Sequence, residues 1–290
     1  GQDHGQPTHS CCRPQDVPPI ITKSAPAPNA CQSHGNVSES ATKMLKLKKM
    51  MISKQVTMKY AKVAGKRKFV TVQQPVVGAS ASAAHISVAS YNVLSSKKVQ
   101  IRRSQYSHCV PHVLNFGIRR QRLLAELAAV DCDICCLQSA DNFESWWQPQ
   151  LSLLGYDGVF VARTGGIPDE GVAIFFKRDL FQLFKSQVID FNEADSKLLT
   201  QAEKIRRRKQ RQKTPNNVGM IVGLQPWEKS THPSAIIVAN VELDDGSEPK
   251  SVLKRNNQCL YFFHQIERFN AELQVPMLVC GSFNCSPGTC

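Results

Sequence analysis

Asp131-Cys132-Asp133-Ile134-Cys135-Cys136-Leu137-Gln138-Ser139-Ala140-Asp141 is the stretch on which the fold turns. Residues 133–138 read as a buried strand, because the run is short, apolar and bounded by polar residues. In layered α/β domains chemistry gathers where such strands end. Two more stretches make the same transition, Ser90-Tyr91-Asn92-Val93-Leu94 and Gly281-Ser282-Phe283-Asn284-Cys285-Ser286-Pro287. Each carries short polar side chains at a candidate strand end: asparagine in the first and third, serine in the second and third.

Outward from this centre, strand and helix signals alternate. Residues 86–94 read as a strand, and residues 119–130 as a helix with Leu123, Leu124 and Leu127 on one face. Further strands are expected at 158–162, 172–177, 218–224 and 235–243, then a long helix at 250–273 and a short strand at 277–280 after Pro276. The pattern predicts an α/β layered domain over residues 85–290, with a mixed sheet or a pair of sheets. Residues 1–84 form a basic, low-complexity extension ending in a small-residue linker at 79–84. Within it, residues 42–72 alternate Lys with apolar residues and could form a basic helix followed by a short extended piece. A basic insertion at 194–213 interrupts the domain.

Charge is spread unevenly. The whole chain carries +13, yet residues 40–125 hold 17 Lys or Arg and no acid. A polyanion-binding surface needs that arrangement, since each neutralised phosphate releases counterions and an interspersed carboxylate opposes the gain. The insertion places seven basic residues within ten positions, Lys204 to Lys213. They run all round a helix and form no amphipathic membrane face. The expected RNA-binding residues are therefore Lys48, Lys49, Lys66, Arg67, Lys68, Arg206, Arg207, Arg208, Lys209 and Arg211. The competing readings are a targeting region, a nuclear signal or a solvated tail.

Of the 11 cysteines, Cys132, Cys135, Cys136 and Cys280 lie in apolar, strand-like runs, where free cysteine acts as a small hydrophobe. A reducing compartment is expected, mitochondrial or cytoplasmic. Neither Cys11, Cys12, Cys31 and His34 nor Cys280, Cys285 and Cys290 match a standard zinc spacing. No stretch of 18 uncharged apolar residues predicts a membrane span.

In order along the chain, these motifs resemble the endonuclease/exonuclease/phosphatase superfamily, in its deadenylase-like branch that includes the Angel and nocturnin proteins. The resemblance covers about residues 87–289. Besides the three opening stretches it rests on Phe116 and Arg119, Asp131 to Ile134, Leu154 to Gly158, Gly171 to Lys177, Asn217 to Gly219 and Val238 to Asn240. It implies a four-layer α/β/β/α sandwich with a Mg²⁺-dependent site at one end that cleaves phosphodiester bonds with metal-activated water.

The resemblance also implies a damaged site. Asn92 and Asn284 match the family pattern. Ser139 stands where the Leu-Gln-Glu motif has its metal-binding Glu, Glu242 where Asn-Thr-His-Leu has His, and Ser282 where Gly-Asp-Phe-Asn has Asp. A hard divalent cation takes charged oxygen ligands, so no metal site and no cofactor is expected. Asp141 on a straight strand would lie about 6.6 Å beyond Ser139, too far to substitute. Glu242 would repel a scissile phosphate, and Asp169 and Glu170 fit a substrate-facing Asp-Gly only with one residue inserted. The C-terminal Ser-Asp-His motif does not occur before Cys290, so the sandwich is expected to be incomplete on that side. The resulting expectation is a noncatalytic, RNA-binding structural subunit of a ribonucleoprotein, partnered by RNA, ribosomal RNA above all, and by proteins of a large assembly such as a mitochondrial ribosome. Its rival is an active Mg²⁺-dependent 3′–5′ exoribonuclease or phosphodiesterase completed by residues beyond Cys290. A third reading is a protein-interaction module whose basic segments only target it.

Overall fold

A computed structural model of the chain describes residues 21–23, 85–163, 169–191, 217–227 and 235–285. The expected RNA-binding residues at 48–68 and 206–211, the basic helix at 42–72 and the insertion at 194–213 lie outside the described residues.

Two sheets stack face to face. In chain order the strands of the first are β1 (Ile21–Lys23), β2 (Val88–Asn92), β3 (Ile134–Ala140), β4 (Tyr156–Ala162) and β5 (Gly171–Lys177). They lie side by side as β1-β4-β5-β3-β2. The second sheet contains β6 (Phe181–Asp190), β7 (Val218–Pro226), β8 (Ile236–Glu242) and β9 (Met277–Ser282), in that spatial order. β2 and β3 pair parallel, as do β8 and β9, so the C-terminal ends of each pair come out at one edge together. The remaining pairs are antiparallel.

Apolar residues facing inward from both sheets form the central layer, with Ile134, Cys136, Val172 and Ile174 against Met220, Val222 and Val238. The outer face of the first sheet is covered by α2 (Phe116–Val130), by α3 (Gln148–Leu153) and by the tight turn holding Phe143, Trp146 and Trp147. Phe143 stacks on Phe160 at 4.7 Å between ring centroids. Over the second sheet lies α4 (Pro249–Asn270), which buries Phe262, Ile266 and Phe269. This is the expected four-layer α/β/β/α order.

Every expected strand and both expected helices of the domain form, with ends shifted by a few residues. Four labelled elements had no clear signal, β1, β6, α1 (Ser96–Ile101) and α3. β6 mixes exposed and buried positions because it is a sheet edge. α1 is a single short turn with two basic residues, and α3 carries Pro149 in its first turn. Ile21–Lys23, within the expected extension, pairs along β4. β9 is the other edge of the second sheet, with Met277 46% and Val279 36% exposed.

Candidate functional site

At one end of the sandwich the C-terminal ends of β2, β3, β8 and β9 converge, and they carry Asn92, Ser139, Glu242 and Ser282. The three stretches singled out in the sequence therefore meet. Asn92 Nδ2 donates to Ser282 Oγ at 2.8 Å across the two sheets, and Asn92 Oδ1 accepts from Leu94 N–H at 3.0 Å. Asn284 Nδ2 donates to the Leu243 carbonyl at 2.8 Å, tying the chain after β9 to the end of β8. Deeper in, Asn240 Nδ2 donates to the carbonyls of Leu137 and Ala173, and its Oδ1 accepts from Gln138 Nε2 at 2.8 Å. A buried amide thus ties β8 to two backbone acceptors of the first sheet.

Ser139 is aimed by a break in β3. Its register against β5 shifts between Leu137 and Ala140, and Ser139 has φ of 51°. Such a left-handed residue in a bulge redirects a side chain, and backbone of this kind concentrates at functional ends of sheets. The bulge also removes Asp141 from the face on which a straight strand would have put it. Asp141 Oδ2 instead accepts from Ser96 N–H at 2.7 Å at the start of α1. Arg119, the arginine of the motif after Phe116, clamps the chain after β2 by donating to the carbonyls of Val93 and Leu94. Burial lowers the pKa of its guanidinium, while the Asp141 charge acts to raise it.

Glu242 is neither exposed nor unneutralised, which corrects the expectation that it repels phosphate from the site. It is 2% exposed, and its carboxylate accepts from Ser139 N–H at 2.8 Å, from Ser139 Oγ at 2.6 Å and from Lys98 Nζ. Lys98, on α1, is itself 6% exposed. Its Nζ donates to Ser139 Oγ at 2.9 Å and lies 3.1 Å from Glu170 Oε1. Glu170 is fully buried, accepts from Ser95 Oγ and pairs with Arg163 Nη1 at 2.9 Å. Arg163 Nη2 continues the network to Asn217 Oδ1 at 2.9 Å. Ser95 also caps α1, accepting from Lys98 N–H at 3.2 Å, so one residue fixes both the helix and the carboxylate its lysine meets. Gly171 is required beside Glu170, because a Cβ there would fall 1.9 Å from the Val161 carbonyl oxygen.

Sequence reasoning found Asn92, Ser139, Glu242, Ser282 and Asn284, and it missed Lys98 and Arg163. Their signal was obscure: Lys98 reads as one more base in an acid-free stretch, and Arg163 as a charge beyond a strand. Only Glu170 had attracted attention, and for a substrate role.

No protein-family model matches the chain. Among curated proteins it is 32% identical over 226 residues to carbon catabolite repressor protein 4 homolog 2 of Arabidopsis thaliana, covering 72% of this chain and 36% of that protein. It is 30% identical over 218 residues to protein angel homolog 2 of Bos taurus, covering 74% of this chain and 37% of that protein. The chain belongs to the deadenylase-like branch of the endonuclease/exonuclease/phosphatase superfamily. It spans little more than a third of the length of these relatives. Of solved structures, ANGEL2, a 2′,3′-cyclic phosphatase, in complex with adenosine-2′,3′-vanadate, superposes with a TM-score of 0.58 at 27% identity, covering 70% of this chain and 54% of that one. The human nocturnin catalytic domain shares the fold, with a TM-score of 0.51 at 24% identity over 70% of this chain and 65% of that one.

Superfamily members are typically metal-dependent, and the residues at these strand ends do not fit a divalent ion. Ser139 and Ser282 offer neutral hydroxyls, each already bonded to a protein partner. Of the buried carboxylates here, Glu170 and Glu242 are balanced by Arg163 and Lys98, and Asp141 accepts from the Ser96 N–H. A hard cation needs several anionic or carbonyl oxygens in its shell, and adding two positive charges to a neutral, dehydrated cluster is unfavourable. Among the described residues no group of three or more His, Cys, Asp or Glu is placed to hold a metal.

Proposed function

We propose that this protein is a noncatalytic member of the deadenylase-like branch that binds RNA as a structural subunit of a ribonucleoprotein. The observation that carries the reading is Ser139. At the position of the family's metal-binding Glu it is locked between Lys98 and Glu242, so the strand ends that would hold metal and substrate are bonded to one another. Removing one member of a cooperative catalytic set costs orders of magnitude in rate, and here Ser139, Glu242 and Ser282 all depart from the pattern. RNA binding is supported by the acid-free stretch at 40–125 and the bases at 204–213. A mitochondrial ribosome suits such a basic extension joined to a domain retained without chemistry.

One preparation tests both halves. Incubated with poly(A) or mixed RNA and Mg²⁺ or Mn²⁺, the protein is expected to leave the RNA intact, and to bind it with an affinity that falls steeply with salt. Arg206→Ala/Arg207→Ala/Arg208→Ala should reduce the slope of log affinity against log salt by about two to three, each lost phosphate contact removing roughly 0.7 to 0.9. Hydrolysis that needs metal and disappears in Asn284→Ala would establish the exoribonuclease reading instead. An unchanged slope would mean that this basic run does not touch RNA.

A further inference from the structure

We propose that the ε-ammonium of Lys98 is the resident cation of this site, an internal ion that replaces a divalent metal and bolts the two sheets together. This deepens the noncatalytic reading and rests on it in identifying Ser139 as the former ligand position. The geometry is specific. The ammonium has three N–H donors, and three acceptors surround Nζ: Ser139 Oγ at 2.9 Å, Glu170 Oε1 at 3.1 Å and Glu242 Oε1. Ser139 lies near the end of β3 and Glu170 immediately precedes β5, both in the first sheet, while Glu242 ends β8 in the second. One cation therefore holds carboxylates from both sheets, as a bridging metal would.

Steric logic agrees. A longer carboxylate side chain at 139 would reach into the space that Nζ holds, so a serine there is what leaves room for the lysine. The charges close as well: Lys98 and Arg163 balance Glu170 and Glu242, all four at least nine-tenths buried by side chain. The helix that carries Lys98 is pinned at its start by Ser95 and Asp141, which holds the lysine's Cα close to the site and limits the entropy lost in placing its long side chain. A buried charge without its partner is strongly unfavourable. Taking Lys98 away should therefore leave two carboxylates facing one vacancy, with Ser139 Oγ between them, and hard cations favour such a set of oxygens.

The experiment uses the full 290-residue chain as wild type, Lys98→Met, Glu242→Gln and Lys98→Met/Glu242→Gln. Thermal unfolding is followed in EDTA and in MnCl2, and bound Mn²⁺ is read from loss of the aqua-ion EPR signal, comparing variants so that binding elsewhere cancels. Wild type should melt at the same temperature in both, to within about 1 °C. Lys98→Met should melt on the order of 10 °C lower in EDTA, bind one more Mn²⁺ than wild type and recover about 5 °C at saturating metal. The double variant, with one carboxylate fewer to leave unpaired, should melt above Lys98→Met and lose the added Mn²⁺. A wild-type protein stabilised by Mn²⁺ in a way that Glu242→Gln abolishes would overturn the proposal, as would a Lys98→Met protein that melts like wild type. Should Lys98→Met fail to fold, wild type and Glu242→Gln still decide it, since neither should respond to Mn²⁺. Metal-stabilised wild type that leaves RNA intact would sink Lys98 as the cation and spare the noncatalytic reading. RNA hydrolysis that persists in EDTA would do the reverse.

Discussion

The two ends of the sandwich are each tied by a lysine and carboxylates, and they differ in water. At the strand-end site Lys98 meets Glu170 and Glu242 with side-chain exposures of 7%, 0% and 3%. At the opposite end Lys177, closing β5, meets Asp133 at 3.3 Å and Asp131 at 3.6 Å, with exposures of 14%, 16% and 59%. Asp133 there also accepts from Ser87 N–H at 2.8 Å and Ser87 Oγ at 2.7 Å, fastening the entry to β2 onto the entry to β3. The same pair of functional groups thus serves as a buried bolt at one end and a wet clasp at the other. Desolvation makes the difference: a broken buried pair leaves an unsolvated charge, whereas a broken exposed pair is rescued by water.

The comparison breaks most clearly at Glu170. Glu170→Gln removes a carboxylate shared by Lys98 and Arg163 and leaves both cations short of a partner. Urea unfolding should show a loss of about 3–5 kcal/mol. A loss under about 1 kcal/mol would mean that water reaches the bolt and that the two ends are energetically alike.

A smaller, pH-dependent effect is expected at the clasp. Burial acts to raise the pKa of Asp133, but the hydrogen bonds from Ser87 and the Lys177 charge outweigh it and hold the carboxyl below its ordinary value. A carboxyl depressed in the folded state contributes stability above its unfolded pKa and loses it as pH falls through the folded value. Asp133→Asn should accordingly cost on the order of 1 kcal/mol at pH 7, and the gap from wild type should close as the pH drops below the normal carboxylate range. A gap that stays constant down to acid pH would assign the clasp to packing rather than charge.

The least effect on stability is expected between the two ends, where Cys136 and Cys280 face each other across the sheets. The Cys136 thiol donates to Cys280, which holds the Cys280 pKa down to about 7 and pushes that of Cys136 up. Near neutral pH Cys280 should therefore react with iodoacetamide well before Cys136, with a rate that levels off above about pH 8. Equal rates would show that the two thiols do not share a proton.

The legible part of this protein was the part with local periodicity. Buried strands such as Ile134–Ala140 and Ile236–Glu242 open on apolar runs, and α2 shows Leu124 and Leu127 on one face, so their order yielded an α/β layered class. Strand ends stood out because short polar residues follow those runs, which is why Asn92, Ser139 and Ser282 were found, whereas Glu242 was picked out only by the family resemblance. Lys98 was hidden because α1 is too short for a period to register and because its base sits among many others. Asp141 was misplaced because nothing in Leu137-Gln138-Ser139 announces a non-glycine residue in the left-handed region.

By itself the sequence determined an α/β layered class and the concentration of positive charge, since hydropathy, net charge and side-chain type are properties of the residues in order, whereas the four-layer order and the interest of Ser139 and Ser282 came from the family resemblance. Only the tertiary structure decided which charges meet. Lys98 and Glu242 are 144 positions apart, and their encounter depends on a bulge in β3, a capped turn after β2 and the stacking of two sheets. Ion pairing is settled by distance and dehydration in space, and neither quantity is written in the spacing of residues along the chain.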